Sequence, residues 1–297
     1  MANQSTDTII QSLSSFKGSG LVHFLLEEVW EAGADPRVAQ FPIMKGGPWS
    51  VFGVIACYLL FVKKIGPAVM KERQPFDLRG LIFCYNIVMM FVNLYFFISA
   101  SIYTNMGIKT WGCINVNPMD TGSTMQWKLL LIWLFFLSKF IDLLETVFFI
   151  LRKKHSQVSF LHVFHHSIVP IDVWVGLKYS PSESACFFPL INSFVHSVMY
   201  FYYGLSTLGP RVRPYLWWKK YLTQLQIVQL VLVAIHCVHL VLLPNCNIPK
   251  AVFAIYLPQV MFLVYLFVSF FVSSYLVSNG VNKNNDTTSS SKNEKIE

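Results

Sequence analysis

Long apolar runs, each about the 20 residues that a helix needs to cross a bilayer, set the limits on what this chain can fold into. They fall at 46–62, 81–103, 128–151, 158–177, 185–206, 221–243 and 251–277. Inside lipid every backbone N–H and C=O must be bonded within the protein, so such runs imply helices. The expected fold is therefore all-α: a polytopic membrane protein of seven transmembrane helices. The first run is short and interrupted by Gly53, and histidines dilute the fourth. Hydrophobic residues make up 54% of the chain and charged residues only 13%, which excludes an ordinary soluble domain.

The net charge of +8 is gathered in short clusters between the runs. One side of the bundle receives Lys63, Lys64, Lys71, Arg73 and Arg79, then Arg152, Lys153 and Lys154, then Arg211, Arg213, Lys219 and Lys220. The opposite links hold Lys109, Lys178 and Lys250. The positive-inside rule then places the N-terminus in the lumen or exterior and the C-terminus in the cytosol, as an odd number of spans requires. Such clusters do not form the basic stripe interleaved with exposed aromatics of a nucleic-acid binder. Residues 1–20 lack the apolar core of a signal peptide, so the first span is expected to direct insertion. The chain divides into a lumenal segment at 1–45, the helical domain at 46–277 and a polar cytosolic tail at 278–297 expected to be disordered. That tail ends Glu294-Lys295-Ile296-Glu297, with one lysine placed as in a dilysine retrieval signal for the endoplasmic reticulum. Asn3 heads the one glycosylation sequon on the lumenal side.

Polar groups at membrane depth are costly and mark sites or pathways. In the third run Lys139, Asp142 and Thr146 share a helix face, with Glu145 about 60° beyond Asp142. The fourth holds His162, His165 and His166 within an arc about 100° wide. The fifth carries Asn192, His196, Met199 and Tyr203, flanked by Tyr200 and Tyr202, and the sixth Thr223, Gln226 and Gln229, with His236 deeper. Counted by helix rise from the cytosolic ends, Glu145, His165, Gln229, His196 and Lys139 occupy one layer roughly 9 to 18 Å deep. A site open to cytosolic substrates follows.

Plainer readings stand beside this one. Lys139 and Asp142 at i, i+3 can neutralise each other as buried glue, the tyrosines can form an interfacial belt, and His236 can be a satisfied core histidine. Three imidazoles on one face are harder to satisfy structurally, and they point to catalysis or metal binding. Histidine at this spacing also serves di-iron membrane enzymes, but those need several such boxes, and this chain has eight histidines of which His23 and His155 lie outside the layer. No metal is therefore expected. Cys57, Cys84, Cys186 and Cys237 fit small buried hydrophobes, whereas Cys113 and Cys246 fall in lumenal loops where a disulfide is expected. A seven-helix receptor would share this orientation and helix count. It lacks support from the short loops, from the missing acid-Arg-aromatic signature at the end of the third span, and from a reactive cluster opening to the cytosol.

Four motifs occur in order: Lys139 to Thr146 as Lys-Phe-Ile-Asp-Leu-Leu-Glu-Thr, Phe160 to His166 as Phe-Leu-His-Val-Phe-His-His, Asn192 to Tyr203 around His196, and Thr223 to Gln229. Together they resemble the ELO-type very-long-chain fatty acid elongases over most of the chain, from about Asp35 to the end of the seventh span. Leu151-Arg152-Lys153-Lys154 and the stretch Tyr215 to Tyr221 are similar to the metazoan branch. The resemblance implies seven helices enclosing a buried acyl channel, and condensation of a long-chain acyl-CoA with malonyl-CoA to give 3-oxoacyl-CoA, CoA and carbon dioxide. It implies His165 as the nucleophile, His162, His166 and His196 handling protons and the malonyl group, and Asp142 or Glu145 orienting an imidazole. Asn192 and Gln226 would donate to developing negative charge, with Lys139, Tyr200, Tyr203 and Gln229 around the substrate. Arg152, Lys153, Lys154 and Lys219 would meet CoA at the mouth. The two thioesters are substrates and no further cofactor is implied; the setting would be the endoplasmic reticulum membrane, with a homodimer and association with other elongation-cycle enzymes as partners. Two departures touch the channel: Asp142 precedes Glu145 where relatives more often place the longer acid first, and Asp172 adds an acid after the histidine box where relatives carry an aromatic.

Overall fold

A computed structural model describes residues 20, 22–112, 119–244 and 249–277, and among them only helices, turns and loops occur. We number the main helices α1 Trp49–Met70, α2 Arg79–Thr104, α3 Ser123–Ile141, α4 Leu144–Leu151, α5 Phe160–Tyr179, α6 Phe187–Thr207, α7 Lys219–Leu242 and α8 Lys250–Phe271. Among the described residues six stretches are long and apolar enough to cross a membrane: α1, α2, α5, Ser184–Thr207, Arg213–Leu242 and Lys250–Val277. The protein is thus a polytopic helical membrane protein, with one span fewer than expected by this measure.

The remaining run, expected at 128–151, is split between α3 and α4. At the split the backbone bonds tighten to i→i−3: Leu143 N–H to Phe140, Glu145 N–H to Asp142 and Thr146 N–H to Leu143, each at 3.2 Å. A turn of three residues eclipses positions i and i+3. The regular helix assumed from sequence would hold Asp142 and Glu145 about 60° apart, and the tight turn narrows that angle.

The helices close a circuit in which each presents one face inward. α2 lies along α6, α6 meets α7, α7 pairs with α8, α8 meets α5 and α5 meets α3. Phe96 of α2 packs edge-on to Phe135 of α3 at 5.7 Å, and Tyr85 to Phe148 of α4 at 5.2 Å, completing the circuit. α1 leans on α5 and, at its far end, on α4. Proline at 170 in α5 and at 258 in α8 cannot donate to the carbonyl four residues back, which loosens both helices partway along.

One end of the bundle is covered by the N-terminal segment. Trp174 Nε1 donates to the Ile43 carbonyl at 3.0 Å, Trp133 Nε1 to Pro42 at 3.1 Å and the Tyr179 hydroxyl to Trp30 at 2.8 Å. Lys178 Nζ, fully buried, donates to the Met44 carbonyl at 2.8 Å and to Glu31 Oε1 at 3.0 Å. The described part of the segment at 1–45 therefore belongs to the bundle's packing. Since the Glu31 side chain is 39% exposed, the ion pair itself contributes little, and the charge-assisted bond to Met44 contributes more, about 2 kcal/mol. Lys178→Met, which keeps the side-chain length, is expected to expose residues 32–48 to limited proteolysis several-fold faster than in the wild type. An unchanged cleavage rate would remove Lys178 as the anchor.

Cysteine placement departs from expectation. Among the described cysteines, Cys57 and Cys84 are exposed on helix faces, Cys186 is half-buried and only Cys237 is buried. A thiol is a small hydrophobe, and on a helix that crosses lipid an outward position costs it nothing. Cys113 and Cys246, expected to pair, lie outside the described residues, as do Asn3 and the tail at 278–297.

Candidate active site

The first turn of α5 is fixed by Ser159, whose side chain accepts the His162 backbone N–H at 3.2 Å. This cap sets where the helix begins and hence how its histidines are aimed. His162 and His166, one turn apart, hold their rings at 4.2 Å, and His165 lies edge-on to His166 at 5.3 Å. From α6, His196 faces His165 with ring centres 6.5 Å apart and planes 29° from parallel. Phe267 of α8 stands 6.5 Å from His165. All four expected histidines therefore meet between α5 and α6.

Each imidazole has different support. His162 Nε2 is hydrogen-bonded to Thr146 Oγ1 at 2.8 Å, and Thr146 in turn to the Tyr58 hydroxyl at 2.9 Å. His166 Nε2 stands 3.6 Å from Glu145 Oε2, both groups buried. His196 packs 5.8 Å from the Tyr200 ring. Its Nδ1 and Glu145 Oε1 are buried without a hydrogen-bond partner among the described residues. Buried polar atoms are normally satisfied, so two open ones in the same layer are places for a substrate or water.

Below the histidines sits a satisfied ion pair. Lys139 Nζ donates to Asp142 Oδ2 at 3.0 Å and to Asn192 Oδ1 at 3.3 Å, and the Tyr200 hydroxyl donates to Asp142 Oδ1 at 2.8 Å. Both Asp142 oxygens are thus engaged by Lys139 and Tyr200, and Glu145 is the acid beside a histidine. Asn192, with its oxygen taken, offers its amide N–H groups as donors. Gln226 Nε2 approaches Met199 Sδ at 3.5 Å, Gln229 is buried, and Tyr203 packs against Tyr202 at 6.0 Å. Arg152 caps the end of α4, Lys153 Nζ donates to the Lys71 carbonyl at 3.3 Å, and Lys154 and Lys219 are exposed. These bases gather at the end where α4 finishes and α5 begins, the end nearer the histidines.

Tyr58, Ser159 and Phe267 are site residues that the sequence pattern did not single out. Ser159 was findable as a serine immediately ahead of an apolar helical run, a standard cap signal. Tyr58 lies in the short first run, and its reach to Thr146 depends on how α1 leans on its neighbours. Donor atoms of Glu145, His162 and His166 lie within 4.8 Å of one another, the composition of a two-histidine, one-carboxylate metal site. That set would serve one ion, whereas the di-iron alternative needs ligands for two.

A circuit of membrane-length helices around four converging histidines and a buried ion pair defines a membrane-embedded enzyme. Residues 43–283 match the ELO (GNS1/SUR4) family. The chain is 41% identical over 244 residues to very long chain fatty acid elongase 1 of Mus musculus, covering 82% of this chain and 86% of that one. It is 40% identical over 227 residues to very long chain fatty acid elongase 7 of Rattus norvegicus, covering 75% and 79%. It is 37% identical over 265 residues to very long chain fatty acid elongase 4 of Mus musculus, covering 84% of each. The chain belongs to the ELO family of fatty acid elongases, and that membership displaces the receptor alternative.

Proposed function

We propose that the protein is a very-long-chain 3-oxoacyl-CoA synthase, the condensing enzyme of fatty acid elongation, working through an acyl-histidine at His165. The observation that carries this reading is the face-to-face approach of His165 and His196 beside unsatisfied buried polar atoms. Acyl transfer needs a nucleophile, a proton acceptor and donors for the developing oxyanion in one water-poor place.

In the first half-reaction a His165 nitrogen attacks the thioester carbonyl of acyl-CoA. The C–S bond breaks, CoA leaves as a thiol with the imidazole proton, and an acyl-imidazole remains. In the second, malonyl-CoA loses carbon dioxide and the electron pair of that C–C bond becomes an enolate. The enolate carbon attacks the acyl group, the C–N bond to His165 breaks as a proton taken up from solvent returns to that nitrogen, and 3-oxoacyl-CoA departs. His196 Nδ1 and the Asn192 amide are positioned to hold the malonyl thioester. Glu145 orients His166, and Thr146 with Tyr58 orients His162, so these imidazoles relay protons in defined directions. No cofactor beyond the two thioesters enters these steps.

The remaining assignments follow from this reading. α3 and α4 together make the seventh span, the basic end faces cytosolic CoA thioesters, and the N-terminal cover faces the lumen of the endoplasmic reticulum. Arg152, Lys153, Lys154 and Lys219 meet the CoA phosphates. A homodimer and contacts with the other enzymes of the elongation cycle complete the proposal. Purified protein given a saturated long-chain acyl-CoA and [2-14C]malonyl-CoA is expected to form labelled 3-oxoacyl-CoA only when both are present. Label incorporation that does not depend on the acyl-CoA would end this reading.

A further inference from the structure

A cavity of about 330 Å³ lies between α2 and α3, bounded on a third side by residues 181–189. Its inner end is apolar, formed by Phe96, Leu131, Ile132 and Phe135, whereas its outer end carries the Lys128–Glu183 ion pair at 2.8 Å. The Lys128 ammonium is already engaged, so this space offers little to an anionic headgroup and suits a hydrocarbon end. Phe135 is common to both compartments. It lines the cavity, and its ring stands 4.5 Å from the ammonium of Lys139, which belongs to the histidine layer. The ring is 2% exposed and wedged between Phe96 at 5.7 Å and Phe188 of α6 at 6.2 Å. Phe135 thus stands between the Lys139 ammonium and an apolar volume bordered by α3 on the side away from the basic end.

We propose that Phe135, braced by Phe96, is a chain-length stop: the methyl end of the acyl substrate reaches this ring, and the cavity beyond it is where longer saturated chains would lodge. This rests on the elongase reading above. Shortening Phe135 would open the cavity toward the Lys139 side, and in this reading the methyl end of a longer chain takes up that room.

The test uses full-length protein with a graded series of saturated acyl-CoAs and labelled malonyl-CoA. Phe135→Ala is expected to move the longest accepted acyl chain up by at least one two-carbon step, with Phe135→Leu giving a smaller rise in the same direction. Ala100→Phe, which fills the cavity from α2, is expected to leave the wild-type cut-off unchanged and to cancel the lengthening in the Phe135→Ala background. Should Phe135→Ala fail to fold, Phe96→Leu carries the same expectation from the other half of the pair. A folded, active Phe135 variant with the wild-type cut-off, or lengthening that Ala100→Phe does not cancel, overturns the stop. Wild-type protein that condenses no acyl-CoA of any length overturns the elongase reading instead.

Discussion

His165→Ala is expected to lower malonyl incorporation by about 10³-fold or more while leaving the protein folded, because loss of a nucleophile removes the covalent route altogether. The neighbouring histidines separate this outcome from a general loss of packing. His162 is tied to Thr146 and Tyr58, and His166 stands against Glu145, so both have partners that a structural role would explain. His165 instead faces His196 across 6.5 Å, a gap that an acyl carbon can enter. His196→Ala should therefore behave differently. It should slow condensation by about 10²- to 10⁴-fold, the usual contribution of a positioned acid or base, yet still release CoA from acyl-CoA in a burst near one equivalent of enzyme. Mass spectrometry of protein treated with acyl-CoA alone should find the acyl group on the peptide containing His165. Retention of more than about a tenth of wild-type incorporation by His165→Ala would refute the acyl-histidine, since a covalent route cannot tolerate loss of its carrier so lightly.

Much of this site is legible along the chain because lipid makes polar residues conspicuous. His162, His165, His166 and His196 stand out for the cost of burying them, and helix periodicity alone places the first three on one arc. What periodicity assumes is a regular helix, and that assumption fails between Asp142 and Thr146. The tight turn there draws Asp142 and Glu145 toward one face and then divides their work. Asp142 takes Lys139 and Tyr200, and Glu145 takes His166. No one-dimensional pattern distinguishes those partners, because Tyr200 comes from another helix and its reach depends on how α6 meets α3. The third apolar run falls short of a single membrane-length helix at the same place and for the same cause. Tyr58 was invisible for a related reason: a tyrosine in an apolar run reads as packing until the helix carrying it is set beside Thr146.

The ion pair at that turn yields the second large effect, which falls on stability. Lys139 and Asp142 are each 3% exposed, and removing one partner of a buried pair leaves an uncompensated charge, a loss of about 3–5 kcal/mol. Asp142→Asn is expected to incur a loss of that order, because the buried Lys139 ammonium loses its counter-charge and one amide oxygen replaces the two carboxylate oxygens that Lys139 and Tyr200 now share. Lys139→Met combined with Asp142→Asn removes both charges and should recover much of the stability, since the uncompensated buried charge is what makes the single change costly. Activity should not recover with it, because Tyr200 would still lack its ionised partner and His196, 5.8 Å from that ring, would lose its backing. Thermal unfolding of the four proteins in one detergent closes the cycle, and a coupling of about 2–3 kcal/mol is expected. Additive losses would mean that the two charges do not depend on each other. Glu145→Gln supplies the contrast: with one of its oxygens unpartnered and the other only 3.6 Å from His166, it should change stability by about 1 kcal/mol and condensation far more. Two acids three residues apart would then be separable, one by what it does to folding and the other by what it does to chemistry.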